Sequence, residues 1–377
     1  MRPIQMVDVK QQYLRIKEEI DAAVLKVIES TAFINGPEVK QFAADLAAYN
    51  GSKHVIPCAN GTDALQIAMM ALHLQQGDEV ITPSFTYIAT TEVIALLGLT
   101  PVFVDVDPKT FCIDPEAIRK AITPKTKAIV PVHLYGHAAD MEAIMQIAEE
   151  HGLYVIEDNA QAIGCDYTYS DGRTVKTGAI GTVSGTSFYP SKNLGAYGDG
   201  GAIMTNDDAL AAQLAMVANH GQSKRYYHDV VGCNSRLDTI QAAILGIKLR
   251  FLDEYIDARI KVADTYDAAF AGTDKIRTPF RAPNCKHVFH QYTIILDGID
   301  RDAFAAYLQE KGIPSMIYYP VPAHRQKMFA HFGSDQYELP VTDWLTERVI
   351  SLPIHTEMDA EQLDYITSNI LNYINNQ

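Results

Sequence analysis

Short β-rich segments alternate with helical segments between residues 52 and 206, and this alternation constrains the fold more than any other feature of the chain. It is typical of an α/β fold with a mostly parallel central sheet flanked by helices. In such a sheet a ligand lies beyond the carboxyl ends of the strands. The segments that we interpret as strands are HVIPCA, EVITPS, TPVFVDVD, KAIVPVH, YVIEDNA, TVSGTSF and GAIMTN.

Two of the segments between these strands carry apolar residues at helical spacing. They run from Thr62 to Leu74 and from Asp140 to His151, and each opens on a residue that is suited to capping a helix. We therefore predict a helix over each of them.

A different pattern follows near residue 250. Its parts are a long helical segment over 237–270, the segment HQYTIIL, a helix near 302–311, the segment IPSMIYYP and a last helix over about 359–374. Such a mixture indicates a smaller α+β unit. We therefore predict a large α/β domain over residues 1–250, with an N-terminal helical arm, and a small α+β domain over residues 251–377.

The composition excludes several classes of function. With 377 residues, 47% of them hydrophobic, the chain can bury a large core and is not a disordered protein. A formal net charge of −15 and a pI near 5.2 oppose binding to nucleic acid or to anionic membrane surfaces. No secretion signal or membrane-spanning run is evident, so we expect a cytoplasmic protein. The five scattered cysteines favour reduced thiols over disulfides or a zinc site.

The stretch SGTSFYPSKNLGAYGDGGA, residues 184–202, contains a single lysine, Lys192, among small and turn-forming residues. Such a loop lets a lysine enter a cleft with its backbone close to a ligand. A solvated surface lysine is the alternative. Asp158 ends the apolar strand YVIEDNAQ, where a parallel strand delivers side chains to the ligand edge. A helix cap after the strand is the alternative for Asp158.

The stretch CANGTDAL, residues 58–65, carries a strand into Gly61 and Thr62 and then into a helix. The exposed N–H groups of a helix start favour a phosphate there. Ser187 could add a hydroxyl donor, or be an ordinary polar strand residue. Tyr87, in PSFTYIAT, could lie on the face of an aromatic ligand, or belong to the core.

Taken together, these motifs resemble the sugar aminotransferases of the DegT/StrS group, which are fold-type I pyridoxal-phosphate enzymes. The resemblance covers nearly the whole chain. It rests on the order CANGTDALQIA, PSFTYIAT, EDNAQAIG, TSFYPSKNLGAYGDGGA and GCNSRLDTIQAAIL.

The resemblance implies the cofactor pyridoxal 5'-phosphate and a role for each motif residue. Lys192 matches the lysine that forms an imine with the cofactor, and Asp158 matches the partner of the pyridine nitrogen. Tyr87 matches the stacking aromatic. Gly61, Thr62 and Ser187 match the phosphate contacts, and Gln161 matches the position beside the ring hydroxyl.

The resemblance also implies a homodimer with shared active sites. Asn234, in GCNSRLD, resembles the residue that family members donate to the neighbouring subunit's phosphate; a cap of the following helix is the alternative. Arg236 and His324 match positions close to the sugar in relatives. A salt-bridged arginine and a surface histidine are the alternatives.

The motifs are most similar to those of enzymes that aminate C3 of a UDP-linked 2-acetamido-3-keto-glucuronic acid, for surface polysaccharides such as the O-antigen. The amino donor implied is glutamate. Tyr318, in MIYYPVPAH, stands where that subgroup is expected to have a histidine, and we include it among the substrate-binding residues. A 3-keto or 4-keto-6-deoxy sugar on dTDP or UDP is the alternative substrate. Relatives of a different class are sugar dehydratases, which replace the lysine with histidine, and non-catalytic regulators.

Overall fold

The fold is given by a computed structural model that describes residues 2–376. The helices are α1 (Val9–Arg15), α2 (Lys17–Ser30), α3 (Pro37–Asn50), α4 (Gly61–Ala71), α5 (Ala89–Leu96), α6 (Pro115–Ala121), α7 (Met141–His151), α8 (Asp208–Ala218), α9 (Thr239–Leu249), α10 (Leu252–Phe270), α11 (Arg301–Glu310), α12 (Pro340–Arg348) and α13 (Ala360–Asn375). The strands are β1 (His54–Cys58), β2 (Glu79–Pro83), β3 (Thr100–Val104), β4 (Thr126–Ile129), β5 (Tyr154–Asp158), β6 (Asp166–Thr168), β7 (Thr174–Lys176), β8 (Val183–Ser187), β9 (Gly201–Thr205), β10 (Gln222–Lys224), β11 (Tyr227–His228), β12 (Ile276–Arg277), β13 (Tyr292–Leu296) and β14 (Val349–Leu352).

The seven strands predicted between residues 52 and 206 form one sheet, in the order β1-β9-β8-β5-β4-β2-β3. The pairs β8–β5, β5–β4, β4–β2 and β2–β3 are parallel, whereas β9 runs antiparallel to β1 and β8. The sheet is therefore mostly parallel, and the predicted α/β fold is confirmed.

Both faces of this sheet are buried, as expected for parallel strands that are covered by helices. Successive side chains of a strand point to opposite faces. Accordingly, Val80 and Ile156 belong to a core cluster that includes α4 and α8, while their neighbours Ile81 and Val155 belong to a second cluster that includes α3, α7 and α9.

Two local predictions differ from the structure. The cap of α4 is Asn60 rather than Thr62, because the Asn60 side chain accepts a 2.8 Å hydrogen bond from the Asp63 N–H. Residues 237–270 form two helices instead of one. The N–H groups of Arg250 and Phe251 bond to carbonyls three residues earlier, which tightens the last turn and ends α9. For α7 the predicted cap, Asp140, is confirmed.

The C-terminal part contains the antiparallel sheet β12-β13-β14, which packs with α10, α11 and α13 around its own apolar cluster. The segment IPSMIYYP forms no strand and contributes only an isolated bridge between Met316 and Ser351. The domain boundary that we place at residue 250 coincides with the break between α9 and α10; it stays a prediction. Nowhere in residues 2–376 is a helix both long and apolar enough to cross a bilayer.

Candidate active site

The carboxyl end of β5 and the end of β8 lie side by side at one edge of the central sheet. The two strands are parallel and in register, with Asp158 opposite Gly185. Two residues further along β8 is Ser187, which opens the loop that carries Lys192. The sheet therefore delivers the predicted aspartate, serine and lysine to the same edge.

Asp158 is almost fully buried, and its carboxylate is fixed by two donors. The Thr90 hydroxyl donates a 2.7 Å hydrogen bond to Oδ2, and the Ala160 N–H donates a 3.1 Å bond to Oδ1. No helix follows Asp158, since residues 160–164 form turns, so the helix-cap alternative is wrong. The sequence analysis did not identify Thr90. The one feature of the sequence that pointed to Thr90 was its spacing of four residues from Thr86, and the two hydroxyls lie 3.0 Å apart.

Lys192 lies in a closed loop between β8 and β9. The loop is closed by a 2.8 Å bond from the Ala196 N–H to the Phe188 carbonyl. The Lys192 side chain is partly buried, which does not fit a fully solvated surface lysine. Burial lowers its pKa to about 8, opposed by the nearby Asp158 charge. Within residues 2–376 no hydrogen bond or ion pair engages its amine.

The start of α4 lies against Ser187. A Cβ atom on Gly61 would come within 2.7 Å of the Ser187 Cβ, so a side chain at position 61 would fill this gap. Asn60 already bonds to the N–H groups of Asp63 and Ala64. The N–H groups of Gly61 and Thr62, in the first turn, have no partner within the helix. Together with the Ser187 hydroxyl they can hold an anion.

Aromatic side chains lie next to Gln161, three residues after Asp158. The Gln161 amide donates a 3.0 Å hydrogen bond to the Tyr319 hydroxyl and accepts a 2.7 Å bond from the Tyr135 N–H. The Tyr319 ring lies 6.0 Å from the Tyr87 ring, and burial raises the pKa of Tyr319. Tyr87 is 56% exposed and is therefore not a core residue. Sequence reasoning missed Tyr319, the neighbour of Tyr318.

Tyr318 is partly buried, and its carbonyl accepts a hydrogen bond from the Tyr135 hydroxyl. His324 is buried, so the surface-histidine alternative is wrong. Its Nδ1 lies 2.7 Å from the Ser84 hydroxyl and its Nε2 lies 3.4 Å from an Asp343 oxygen. Burial lowers the pKa of His324.

The turn GCNSRLD places Asn234 on the surface. Its neighbour Ser235 is buried; the Ser235 hydroxyl donates a 2.6 Å bond to Asp63 and accepts a 3.0 Å bond from the Ala59 N–H. The turn is thereby held beside the start of α4. The N-cap of α9 is Asp238, so the helix-cap alternative for Asn234 is wrong.

Arg236 follows in the same turn and is partly exposed. In the described part of the chain it forms no ion pair, which removes the salt-bridge alternative.

The sequence is similar to those of known proteins over nearly its full length. The chain is 48% identical to a pleiotropic regulatory protein of Geobacillus stearothermophilus, over 98% of both chains. It is 47% identical to the UDP-2-acetamido-2-deoxy-3-oxo-D-glucuronate aminotransferase of Pseudomonas aeruginosa, over 98% of this chain and all of that one.

Its fold also matches that of a solved structure. This is the crystal structure of NtdA from Bacillus subtilis with bound cofactor PMP, which it matches with a TM-score of 0.91 and 32% identity over all of this chain and 86% of that chain. Residues 14–371 match the model of the DegT/DnrJ/EryC1/StrS aminotransferase family. The resemblance found in the sequence is thus confirmed, and the chain belongs to the DegT/DnrJ/EryC1/StrS aminotransferase family.

Proposed function

We propose that this aminotransferase moves an amino group to a keto sugar carried by a nucleotide, with Lys192 as the residue that bonds covalently to the cofactor. The observation that carries the proposal is the meeting of Lys192, Asp158 and the gap between Gly61 and Ser187 at one edge of the sheet. An amine, a carboxylate and an anion site in this arrangement match the needs of aminotransfer.

The cofactor is pyridoxal 5'-phosphate, which stabilises negative charge at the substrate carbon when it is bound. The residues present fit it. No side chain fits at position 61, so none fills the gap beside Ser187. The N–H groups at the start of α4 face this gap, and a phosphate accepts hydrogen bonds from such groups. The Lys192 amine has a lowered pKa and no protein partner in residues 2–376, so it is available for a covalent bond.

Each residue of this chain then has a task. The Gly61 and Thr62 N–H groups and the Ser187 hydroxyl hold the phosphate. Asp158, oriented by Thr90, keeps a proton on the ring nitrogen. Tyr87 would cover the face of the bound ring, and Gln161 would contact the ring hydroxyl. Lys192, once released, moves a proton at the substrate carbon.

For the substrate we propose a UDP-linked 3-keto sugar, used for surface polysaccharides such as the O-antigen. The 47% identity to the Pseudomonas aeruginosa aminotransferase supports this choice. Arg236, His324 and Tyr318 are the residues that we assign to the sugar. Because Tyr318 replaces an expected histidine, a 3-keto or 4-keto-6-deoxy sugar on dTDP or UDP is the competing substrate.

The remaining proposals concern the setting of the reaction. We propose glutamate as the amino donor, a homodimer with shared active sites, and a cytoplasmic location. The exposure of Asn234, in a turn held beside the phosphate site, supports a contribution from this turn to a second chain.

The covalent role of Lys192 is tested by borohydride reduction and peptide mapping. Reduction of the protein with its cofactor should leave the reduced cofactor on Lys192, and Lys192→Ala should fold without retaining it. Lys176→Ala is the matched control, since Lys176 pairs with Asp166 away from this edge. A label on another lysine would contradict the assignment.

The reaction itself is tested with glutamate and a panel of nucleotide-linked keto sugars, each made in place by a dehydrogenase or dehydratase. Glutamate-dependent amination of a UDP-linked 3-keto sugar should be fastest. A faster reaction with a dTDP sugar would favour the competing substrate. Loss of a hydroxyl without amination would indicate a dehydratase. No turnover of any sugar would favour a regulator, which is what the name of the Geobacillus relative says.

A further inference from the structure

Lys248 is a buried lysine that the proposed reaction does not use. It lies in α9 and is 1% exposed. Its Nζ atom donates a 2.5 Å hydrogen bond to the carbonyl oxygen of Gly195. Gly195 is three residues after Lys192 in the same loop, so Lys248 contacts the backbone of the loop that carries the reactive amine.

This loop is packed tightly against itself. The Lys192 N–H bonds to the Tyr189 carbonyl at 2.8 Å, and the Ala196 N–H closes the loop at Phe188. A Cβ atom on Gly195 would lie 2.3 Å from the carbonyl oxygen of Pro190. Because the two sides of the loop are in contact, a displacement at Gly195 has to move the Lys192 side of the loop as well.

A second pair of contacts joins α9 to the same segment. The Lys248 ammonium lies 5.2 Å from the centre of the Tyr197 ring, within the range of a cation–π interaction. Gln241 accepts a 2.8 Å hydrogen bond from the Tyr197 N–H. Since Gln241 and Lys248 are two helical turns apart, one face of α9 holds the end of the loop at two points.

Stability alone does not account for an amine at this position. Burying an ammonium group is costly, and here burial lowers the pKa of Lys248 to about 7, with a further contribution from the positive charge of Arg259. One carbonyl and one ring are few partners for a buried charge. Replacing a buried charged group by an apolar one of similar volume is often neutral or stabilising. We therefore expect the Lys248 amine to affect the position of the loop that carries Lys192 more than the stability of the protein.

We infer that Lys248 is a positioning residue, which fixes the Gly195 carbonyl and so sets the place from which Lys192 reaches the cofactor. The inference rests on the proposed role of Lys192. It differs from that proposal in what it predicts for protein without cofactor, because the contact between Lys248 and the loop exists before any cofactor binds.

The test compares Lys248→Met with Lys275→Met. Lys275 is a matched control because its Nζ also donates to a backbone carbonyl, that of Ile374, in the C-terminal part of the chain. Two quantities are measured on folded protein: hydrogen exchange of the Lys192 and Ala196 amides without cofactor, and the rate at which added pyridoxal phosphate becomes bound to the protein in a borohydride-reducible form. Thermal unfolding is followed in parallel.

In Lys248→Met we expect both amides to exchange about tenfold faster or more, and attachment to slow about tenfold, in line with the loss of one buried hydrogen bond. The unfolding midpoint should stay within a few degrees of the parent value. Lys275→Met should leave exchange and attachment unchanged.

A folded Lys248→Met protein with parental exchange and attachment would overturn the inference. If that variant does not fold, Lys248→Gln decides by the same two measurements, because its amide nitrogen is one bond closer to the backbone than the lysine Nζ and falls short of the Gly195 carbonyl. Faster exchange and slower attachment support the inference, and parental values refute it. Peptide mapping of the parent separates the two proposals, because a label away from Lys192 refutes the proposed function while the exchange data still report on the loop.

Discussion

Thr90 donates a 2.7 Å hydrogen bond to the carboxylate of Asp158, and both side chains are buried. The bond joins the first turn of α5 to the end of β5 and, together with the bond from the Ala160 N–H, fixes the orientation of the Asp158 carboxylate. A buried carboxylate with a fixed orientation can face a ring nitrogen without first reorganising.

We expect Thr90→Val to reduce turnover about tenfold while costing about 1–2 kcal/mol of stability at most, since valine keeps the shape and removes the donor. Turnover and thermal unfolding are the measurements. Thr91→Val is the control, because Thr91 lies on the same helix and donates its hydroxyl to the Ile88 carbonyl instead. Equal losses in the two variants would show that Thr90 acts only on the helix.

Asp158→Asn tests the charge of the carboxylate while keeping its shape. Without that charge the ring nitrogen should lose its proton, so the cofactor should withdraw electrons less well. We expect turnover to fall on the order of a hundredfold or more, as for other single electrostatic contributions. Peptide mapping should still place the reduced cofactor on Lys192. A variant as fast as the parent would mean that another acid holds the ring.

Some of this site could be predicted from the sequence and some could not. Lys192, Asp158 and Gly61 stand in local patterns, a Gly-rich loop, a strand end and a helix start, whose geometry follows from nearby residues. Thr90 and Tyr319 join the site through contacts that span 68 and 158 residues. The spacing of Thr86 and Thr90 indicates a contact within one helical turn, but no local pattern indicates the partners Asp158 and Gln161.

The fold shows the same division. The strands of the central sheet are apolar runs between turn residues and were all predicted. The hairpins β6–β7 and β10–β11 have strands of two or three residues, too short for a period to be visible. The break at Arg250 was missed because neither glycine nor proline marks it. The small α+β domain over residues 251–377 remains a prediction.

The rate of cofactor attachment should depend on pH through Lys192. Its pKa of about 8 lies below the ordinary 10.5, because burial disfavours the ammonium form. Only the neutral amine attacks, so the attachment rate should rise about tenfold per pH unit below pH 8 and level off above it. Rates between pH 6.5 and 10 check this. A rate that still rises through pH 10 would show an ordinary, solvated lysine.

The same shift has a consequence for stability. Between about pH 8 and 10.5 the unfolded chain binds more protons at this lysine than the folded one, so stability increases with pH in that window. Lys192→Met removes the group. Its stability relative to the parent should be greatest below pH 8 and should decline towards pH 10.5, as measured by urea unfolding of protein without cofactor.

The last prediction is that two chains build each active site. Asn234 is exposed and Arg236 has no ion pair within residues 2–376, yet the turn that holds them is fixed beside Asp63 through Ser235. A rigid turn with unused polar side chains can reach the phosphate site of a partner across a two-fold axis. Such an axis would make the contact reciprocal.

Subunit exchange separates a shared site from a site built by one chain. Inactive Lys192→Ala chains are mixed with inactive chains that carry Asn234→Ala and Arg236→Ala, and turnover is measured after exchange. In a shared arrangement, a mixed dimer has one site with both defects and one with neither, so each mixed dimer should regain about half of the parental activity. If each chain supplies all its own residues, both sites of the mixed dimer keep a defect. No recovery after verified exchange would therefore refute the shared site.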